Sequence, residues 1–275
     1  MIANKKLLRG LGYNMIAVVI SLIMVMPVYL IVVNSVKDRV GASSMGVELP
    51  TSLHFDNFTT VIERGKLEKS FVNSMLYASA STFFGTVLAA MAAYALSRNR
   101  TRLNRFLYLF IIMGIAMPLN FFTLTKVMQW TQLINSRTGI IVLYTATQIP
   151  FSVFLIYGFV ESVPRELDEA AIIDGCNPLR LFFFVIFPLL KPVLVTAAVL
   201  NFVGVWNDFI LPLYYLNSSD YWPMTLAVYN FFGQYRQDWS LVSADILLTI
   251  IPVVALYLIG QRFILSGMTS GAIKG

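Results

Sequence analysis

Three carboxylates, Glu166, Asp168 and Glu169, fall within four consecutive positions just after Pro164. Proline suits a first helical position, and acids there meet the positive end of the helix dipole. The pattern predicts a short helix running to about Asp174, ended by Gly175 in the left-handed geometry that glycine adopts without strain. Asn177 followed by Pro178 then reads as the N-cap and first residue of a second short helix. Leu179, Phe182, Phe183 and Ile186 make that second helix strongly apolar, and Pro188 and Pro192 close it. Such a helix-turn-helix offers recognition chemistry rather than bond-making. From residue types alone, an amphipathic hairpin that only anchors a loop at a membrane surface has equal standing.

Nothing else in the chain assembles a reactive centre. His54 is the lone histidine and Cys176 the lone cysteine, which excludes an intramolecular disulfide and a cysteine-cluster metal site. There is no H-E-x-x-H and no G-x-x-x-x-G-K-S/T phosphate loop, so the chain has no recognisable means of hydrolysing ATP, and no enzyme activity is expected of it. A few polar residues inside apolar runs are candidates for lining a pathway. Asp208 is an acid in such a run. Asn201, Val205, Asp208 and Pro212 would share one face of a continuous helix. Asn207 adjoins this set, and Trp206 offers an apolar ring face suited to stacking, its ordinary reading being that of a membrane-interface aromatic. Asn120 near Pro118 and Gln148 near Pro150 are amides at expected kinks.

These residues are positioned by an apolar framework. Of the 275 residues, 57% are hydrophobic and only 12% charged, too apolar for one soluble core. Apolar runs place six membrane helices at about 14–36, 71–97, 106–127, 139–160, 193–216 and 244–263. The hairpin then lies in a cytoplasmic loop, 161–192, between the fourth and fifth spans. The segments assigned inside hold 12 of the 20 Lys and Arg residues, densest over Ser97–Arg105, whereas the external loop Lys37–Ser70 carries five bases and five acids. Both termini are therefore expected in the cytoplasm. The net charge of +6 is accounted for by orientation in a bilayer, and no nucleic-acid partner is expected. Pro27, Pro118, Pro150, Pro212 and Pro252 fall in five different spans, where each removes a backbone hydrogen bond and can kink its helix. The second span has none. It carries Ser81, Gly85, Ala89 and Ala93 at i, i+4 spacing, a stripe that lets another helix approach closely. The external segments hold Tyr221, Trp222, Tyr229, Phe231, Phe232, Tyr235 and Trp239, suited to docking another protein or to an interfacial belt.

Glu169-Ala170-Ala171, Asp174-Gly175 and Ile186-Phe187-Pro188 together resemble the EAA loop of ABC importer permeases. Asn73-Ser74, Met117-Pro118, Pro150-Phe151 and Pro164 fall where the carbohydrate-importer branch has recurrent residues. Trp206-Asn207-Asp208-Phe209 with Leu211-Pro212-Leu213 resembles its fifth-span motif. The end of the chain, through Gly271, Ala272, Ile273, Lys274 and Gly275, is similar to the C-terminus of the maltose-type second permease. Cys176 stands where the family usually has alanine and Phe187 where leucine is common; neither change removes a charge or a turn.

The resemblance implies an all-α polytopic permease, a single transmembrane domain over 1–275 with a cytoplasmic tail at 264–275, in a prokaryotic inner membrane. In that family the EAA loop seats a coupling helix on the ATP-binding subunit, which assigns Glu169, Ala170, Ala171, Asp174 and Gly175 to ATPase contact. The tail residues Gly271–Gly275 would reach the ATPase dimer as an extended segment. The implied partners are a second homologous permease, a dimer of ATP-binding subunits that use ATP and Mg, an extracellular or periplasmic solute-binding protein, a sugar and membrane lipid. No cofactor is implied for this chain itself. A permease for peptides, polyamines or amino acids is the alternative, since the coupling loop is shared among importers.

Overall fold

The computed structural model describes the backbone of residues 2–232 and 237–272, and side chains over 13–232, 237–259 and at 261. Tyr235, one of the external aromatics, and Ile273, Lys274 and Gly275 of the tail lie outside the described residues. The described architecture is helical. In chain order it comprises α1 (Ile2–Ser35), α2 (Asp56–Arg64), α3 (Leu67–Arg98), α4 (Arg102–Ala116), α5 (Phe121–Trp130), α6 (Arg137–Val160) and α7 (Glu166–Ile173). There follow α8 (Pro178–Arg180), a π-helical turn (Leu181–Ile186), α9 (Phe187–Leu189), α10 (Lys191–Asn207) and α11 (Ile210–Tyr215). After α12 (Met224–Ala227), flanked by short 3₁₀ turns, α13 runs from Trp239 to Ala272.

Among the described residues, four helical stretches are long and apolar enough to cross a membrane: Tyr13–Ser35, Leu67–Arg98, Arg137–Val160 and Trp239–Ile259. Two bent pairs raise the number to as many as six if each is one span. These are α4 with α5, bent by 116°, and Pro178–Leu189 with α10, bent by 80°. The chain is thus an all-α, multi-pass membrane protein.

The expected third span, 106–127, is not one helix. Pro118 has no N–H to give and forces Met117 into an extended conformation (φ −78°, ψ 123°), so α4 stops at Ala116. Asn120 restarts the chain as the N-cap of α5, its side chain accepting the N–H of Thr123 at 3.0 Å. The expected fifth span, 193–216, also breaks. Its helix ends at Asn207, and Asp208 is extended (φ −73°, ψ 132°). By contrast Pro27, Pro150 and Pro252 sit inside continuous helices. The tail departs from an extended segment as well. With no proline in the stretch to interrupt it, the backbone stays helical through Ala272.

By contacts the chain divides into two compact units, residues 1–68 with 227–251, and 69–226 with 252–275. In the first, the turn after α1 is tied by buried polar groups. Lys37 Nζ donates to Asn34 Oδ1 and to the Gly46 carbonyl, and Asn57 Nδ2 donates to the Ser35 and Lys37 carbonyls, each at 2.9 Å. The shaft of α1 is otherwise open: only 6% of its most apolar window is buried.

The second unit holds the main core. Ala89, Ala90 and Ala93 of α3 pack on Val153, Ile156 and Val160 of α6, and the cluster continues through Ala171, Phe182, Ile186 and Leu190 to Val193 of α10. The small-residue stripe accounts for the close approach. At Gly85 an added Cβ would lie 2.9 Å from Gln148 Oε1, and Ala89 and Ala93 are fully buried.

Candidate functional site

The hairpin forms for local reasons. α7 begins at Glu166, two residues beyond the Pro164 start expected, and its first turn contains Glu166, Asp168 and Glu169. It ends when Gly175 turns left-handed at φ +79°, with the Gly175 N–H on the Ile172 carbonyl and the Cys176 N–H on the Ala171 carbonyl, both 3.0 Å. The half-buried Cys176 thiol sits just past this turn. Asn177 then caps the next segment, its side chain accepting the Arg180 N–H at 2.8 Å.

The second helix differs from the regular one expected. Its middle widens into the π-turn Leu181–Ile186, which rotates the apolar face. Leu181, Phe182 and Ile186 are buried, while Leu179, Phe183 and Phe184 stay exposed. The Phe182 ring reaches Tyr94 of α3 with centroids 5.5 Å apart.

Asp168, read from sequence only as a dipole partner, is the hairpin's anchor. Its side chain is 12% exposed and lies 2.8 Å from Arg98 Nη2, itself on a side chain 12% exposed. Asp168 Oδ1 also accepts a short hydrogen bond from the Tyr94 hydroxyl. Arg98 donates further to the Val163 carbonyl at 3.1 Å, and its guanidinium carbon stands 5.8 Å from the centre of the Tyr94 ring. Arg100 pairs with Glu161 at 3.4 Å on the surface, where such a contact contributes little. Two largely shielded, oppositely charged groups with added hydrogen bonds form a connection that removal of one partner would break severely. Tyr94 and Arg98 went unrecognised in the sequence because Arg98 reads there as a topology-setting base. The usable signal is their i, i+4 spacing, which puts both on one helical face.

With Asp168 turned inward, the opposite face of α7 is displayed. Glu169, Ala170, Asp174 and Gly175 are exposed, together with Ile172 and Ile173, the latter 86% exposed. Ala171 does not belong to that face: it is buried against the chain's own core, one of the two alanines having been spent on internal packing. A cleft of about 500 Å³ lies beside α7, lined by Tyr94, Arg98, Arg165, Asp168, Glu169 and Leu179 among others. The arrangement presents the carboxylates of Glu169 and Asp174 and an apolar ridge beside a groove, which suits docking of another protein.

The expected pathway residues do not converge. Asp208 leaves the face it was to share with Asn201 and Pro212, because the helix ends before it. Its carboxylate caps α11, accepting the N–H groups of Ile210 at 3.1 Å and Leu211 at 3.2 Å, and also the Tyr144 hydroxyl at 2.9 Å. Asn201 is buried and donates to Ser152 Oγ at 2.9 Å. Trp206 is 2% exposed, with Phe71 and Phe202 against its ring, so it offers no open face to a ligand within this chain. Gln148 is buried beside Gly85 with neither amide atom hydrogen-bonded. Asn120 and Asn207 are exposed, and Asn120 lines a cavity of about 750 Å³ with Pro118, Thr123, Thr147 and Pro150. Among the described residues, no group of three or more His, Cys, Asp or Glu could hold a metal ion.

Known proteins share this organisation. A family model described as the binding-protein-dependent transport system inner membrane component matches residues 85–270, which include the hairpin and its anchor. The probable starch degradation products transport system permease protein AmyC of Thermoanaerobacterium thermosulfurigenes is 32% identical over 272 residues, 98% of this chain and 97% of that one. The melibiose/raffinose/stachyose import permease protein MelC of Bacillus subtilis (strain 168) is 32% identical, covering 95% of this chain and 96% of its own. A crystal structure of a bacterial ABC transporter involved in the import of the acidic polysaccharide alginate has the same fold in one of its chains. Its TM-score is 0.81 at 22% identity, over 92% of this chain and 95% of that one. With most of its length matched by the family model and nearly all of it by close relatives, the chain belongs to the binding-protein-dependent transport system inner membrane component family.

Proposed function

We propose that this chain is one of two permease subunits of an ATP-driven importer for a sugar or oligosaccharide. The substrate class is supported by relatives such as AmyC and MelC, similar over nearly the whole chain and named for starch degradation products and for melibiose, raffinose and stachyose. The observation that carries the mechanism is the hairpin itself: α7 is fixed from behind through Asp168 and bare in front at Glu169, Ala170, Ile172 and Ile173. A helix held in this way transmits rigid-body motion, because packed interfaces move between discrete arrangements.

In this reading Glu169, Ala170, Asp174 and Gly175 meet an ATP-binding subunit, with Ala171 supporting them from inside. Two such subunits use ATP and Mg, and a second permease completes the pathway. A solute-binding protein delivers the sugar to the outer face. Counting α4 with α5 as one span and α10 as another gives six, forming a single permease domain over 1–275. Both termini and the 161–192 loop are then cytoplasmic, and residues 271–275 form a second ATPase contact. Asn120 and Asn207, the two exposed amides, are the pathway candidates. Gln148, Asn201, Trp206 and Asp208 shape the pathway's walls from within.

The test is co-purification of the tagged chain from its native membrane, with identification of bound subunits and measurement of ATPase stimulation by candidate sugars and their receptor. Glu169→Lys should insert normally and lose assembly or stimulated hydrolysis. Undiminished transport by a correctly inserted Glu169→Lys complex would refute the coupling role. Deleting residues 270–275 should impair transport more than expression.

A further inference from the structure

Both ends of α3 are pinned by side chains to segments far apart in sequence. At its C-terminal end Tyr94 and Arg98 hold Asp168 of the hairpin, as described above. At its N-terminal end the partners are backbone atoms of the segment before α12. The buried Asn73 Nδ2 donates to the carbonyls of Asp220 at 3.0 Å and Trp222 at 3.1 Å. The Tyr77 hydroxyl donates to the Tyr221 carbonyl at 2.8 Å, and Ser74 Oγ accepts the Met224 N–H at 2.9 Å. Because these contacts grip the main chain, they fix the path of 220–224 whatever its side chains do.

Between the two anchors, α3 is one uninterrupted helix without proline. From Asn73 to Arg98 it spans about 38 Å at 1.5 Å per residue. Its flank carries Ala89, Ala90 and Ala93, all fully buried. Methyl side chains make a smooth surface with little to interlock, which permits the sliding of packed helices known as shear. Two other stretches lack this continuity, since α4 and α5 are broken at Pro118 and α10 and α11 at Asp208, whereas α6, against which α3 packs, is likewise unbroken.

We propose that α3 is a strut that carries displacement between the hairpin and the 220–224 segment, with Asp168–Arg98–Tyr94 and Asn73–Tyr77–Ser74 as its two fastenings. These are positioning residues: none is assigned to touch ATPase, receptor or sugar. The proposal rests on the coupling reading above for the origin of the movement. It adds the route that movement takes through this chain and the residues that hold the route together. A merely structural pair would stabilise the fold without linking its two ends.

The experiment is hydrogen-exchange mass spectrometry on the complex that co-purifies with the tagged chain, without nucleotide and with ATP plus vanadate. In the wild type, nucleotide should alter exchange in peptides covering both 166–176 and 217–226. Asp168→Asn should keep the response at 166–176 and lose it at 217–226, and Asp168→Glu should restore it. Asn73→Ala should give the same separation from the other end. Should Asp168→Asn fail to assemble, Tyr94→Phe, which removes one hydrogen bond of the fastening and retains the ion pair, takes its place with a reduced response expected at 217–226. A full 217–226 response in Asn73→Ala and in either variant of the hairpin anchor overturns the strut. No response at 166–176 in the wild type would instead overturn the coupling reading, and the strut with it.

Discussion

Gly175 isolates the conformational part of the hairpin from its packing. Its φ is +79°, and a Cβ built there meets no atom within 4 Å. Gly175→Ala therefore carries no steric clash, and its whole cost is that of holding an L-residue left-handed, about 1–2 kcal/mol. A free energy of that size shifts the balance between closed and open turn by roughly five- to thirtyfold. Two amide bonds report it directly, Gly175 N–H to Ile172 and Cys176 N–H to Ala171. Exchange of these amides in the purified complex should accelerate within that range. Gly175→Asn should lie between alanine and wild type, since asparagine tolerates this region better. Valine, being β-branched, should exceed alanine. Equal exchange in glycine, asparagine, alanine and valine proteins would refute the left-handed turn as the stop for α7.

Three further outcomes follow from the geometry. Gly114→Ala places a Cβ 2.8 Å from Pro150 Cγ, a rigid ring, so thermal stability in detergent should fall by the equivalent of about 1–3 kcal/mol, whereas Gly158→Ala, with nothing within 4 Å, should be neutral or slightly stabilising. Asn120→Ala should cost about 1 kcal/mol as a lost N-cap, and Asn120→Ser should recover most of it in the same melting assay. Asp208→Ala strips the cap from α11 and leaves the Tyr144 hydroxyl without its acceptor, a cost of about 1–3 kcal/mol that Tyr144→Phe in the same chain should partly relieve.

The sequence exposed those features that depend on near neighbours in the chain. Gly175, the Asn177 cap and the acids of α7 are local signals, and each has the geometry its residue type requires. The small-residue stripe was legible for the same reason, a fixed period along one helix. What escaped depends on which distant residue arrives opposite. Asp168 looked like a dipole partner until Arg98, 70 positions earlier, proved to be its counter-ion. Asp208 looked like a pathway acid because the run through 193–216 marks a disturbance at Pro212 and not the break at Asp208, and its carboxylate is taken up by capping and by Tyr144. The π-turn was hidden by its own composition, since a run of phenylalanines suits either helical period. Pro118 announced a disturbance without stating its size; a kink and a 116° reversal begin with the same missing N–H.

Cys176 supplies an experimental handle that most proteins must be engineered to have. It is the single thiol among 275 residues, and it stands one position beyond the turn whose movement matters. One maleimide dye or spin label on the otherwise unaltered protein would therefore report from the hinge alone. The rate at which that label attaches, compared between resting and nucleotide-bound transporter, would time the hairpin's opening without a single substitution.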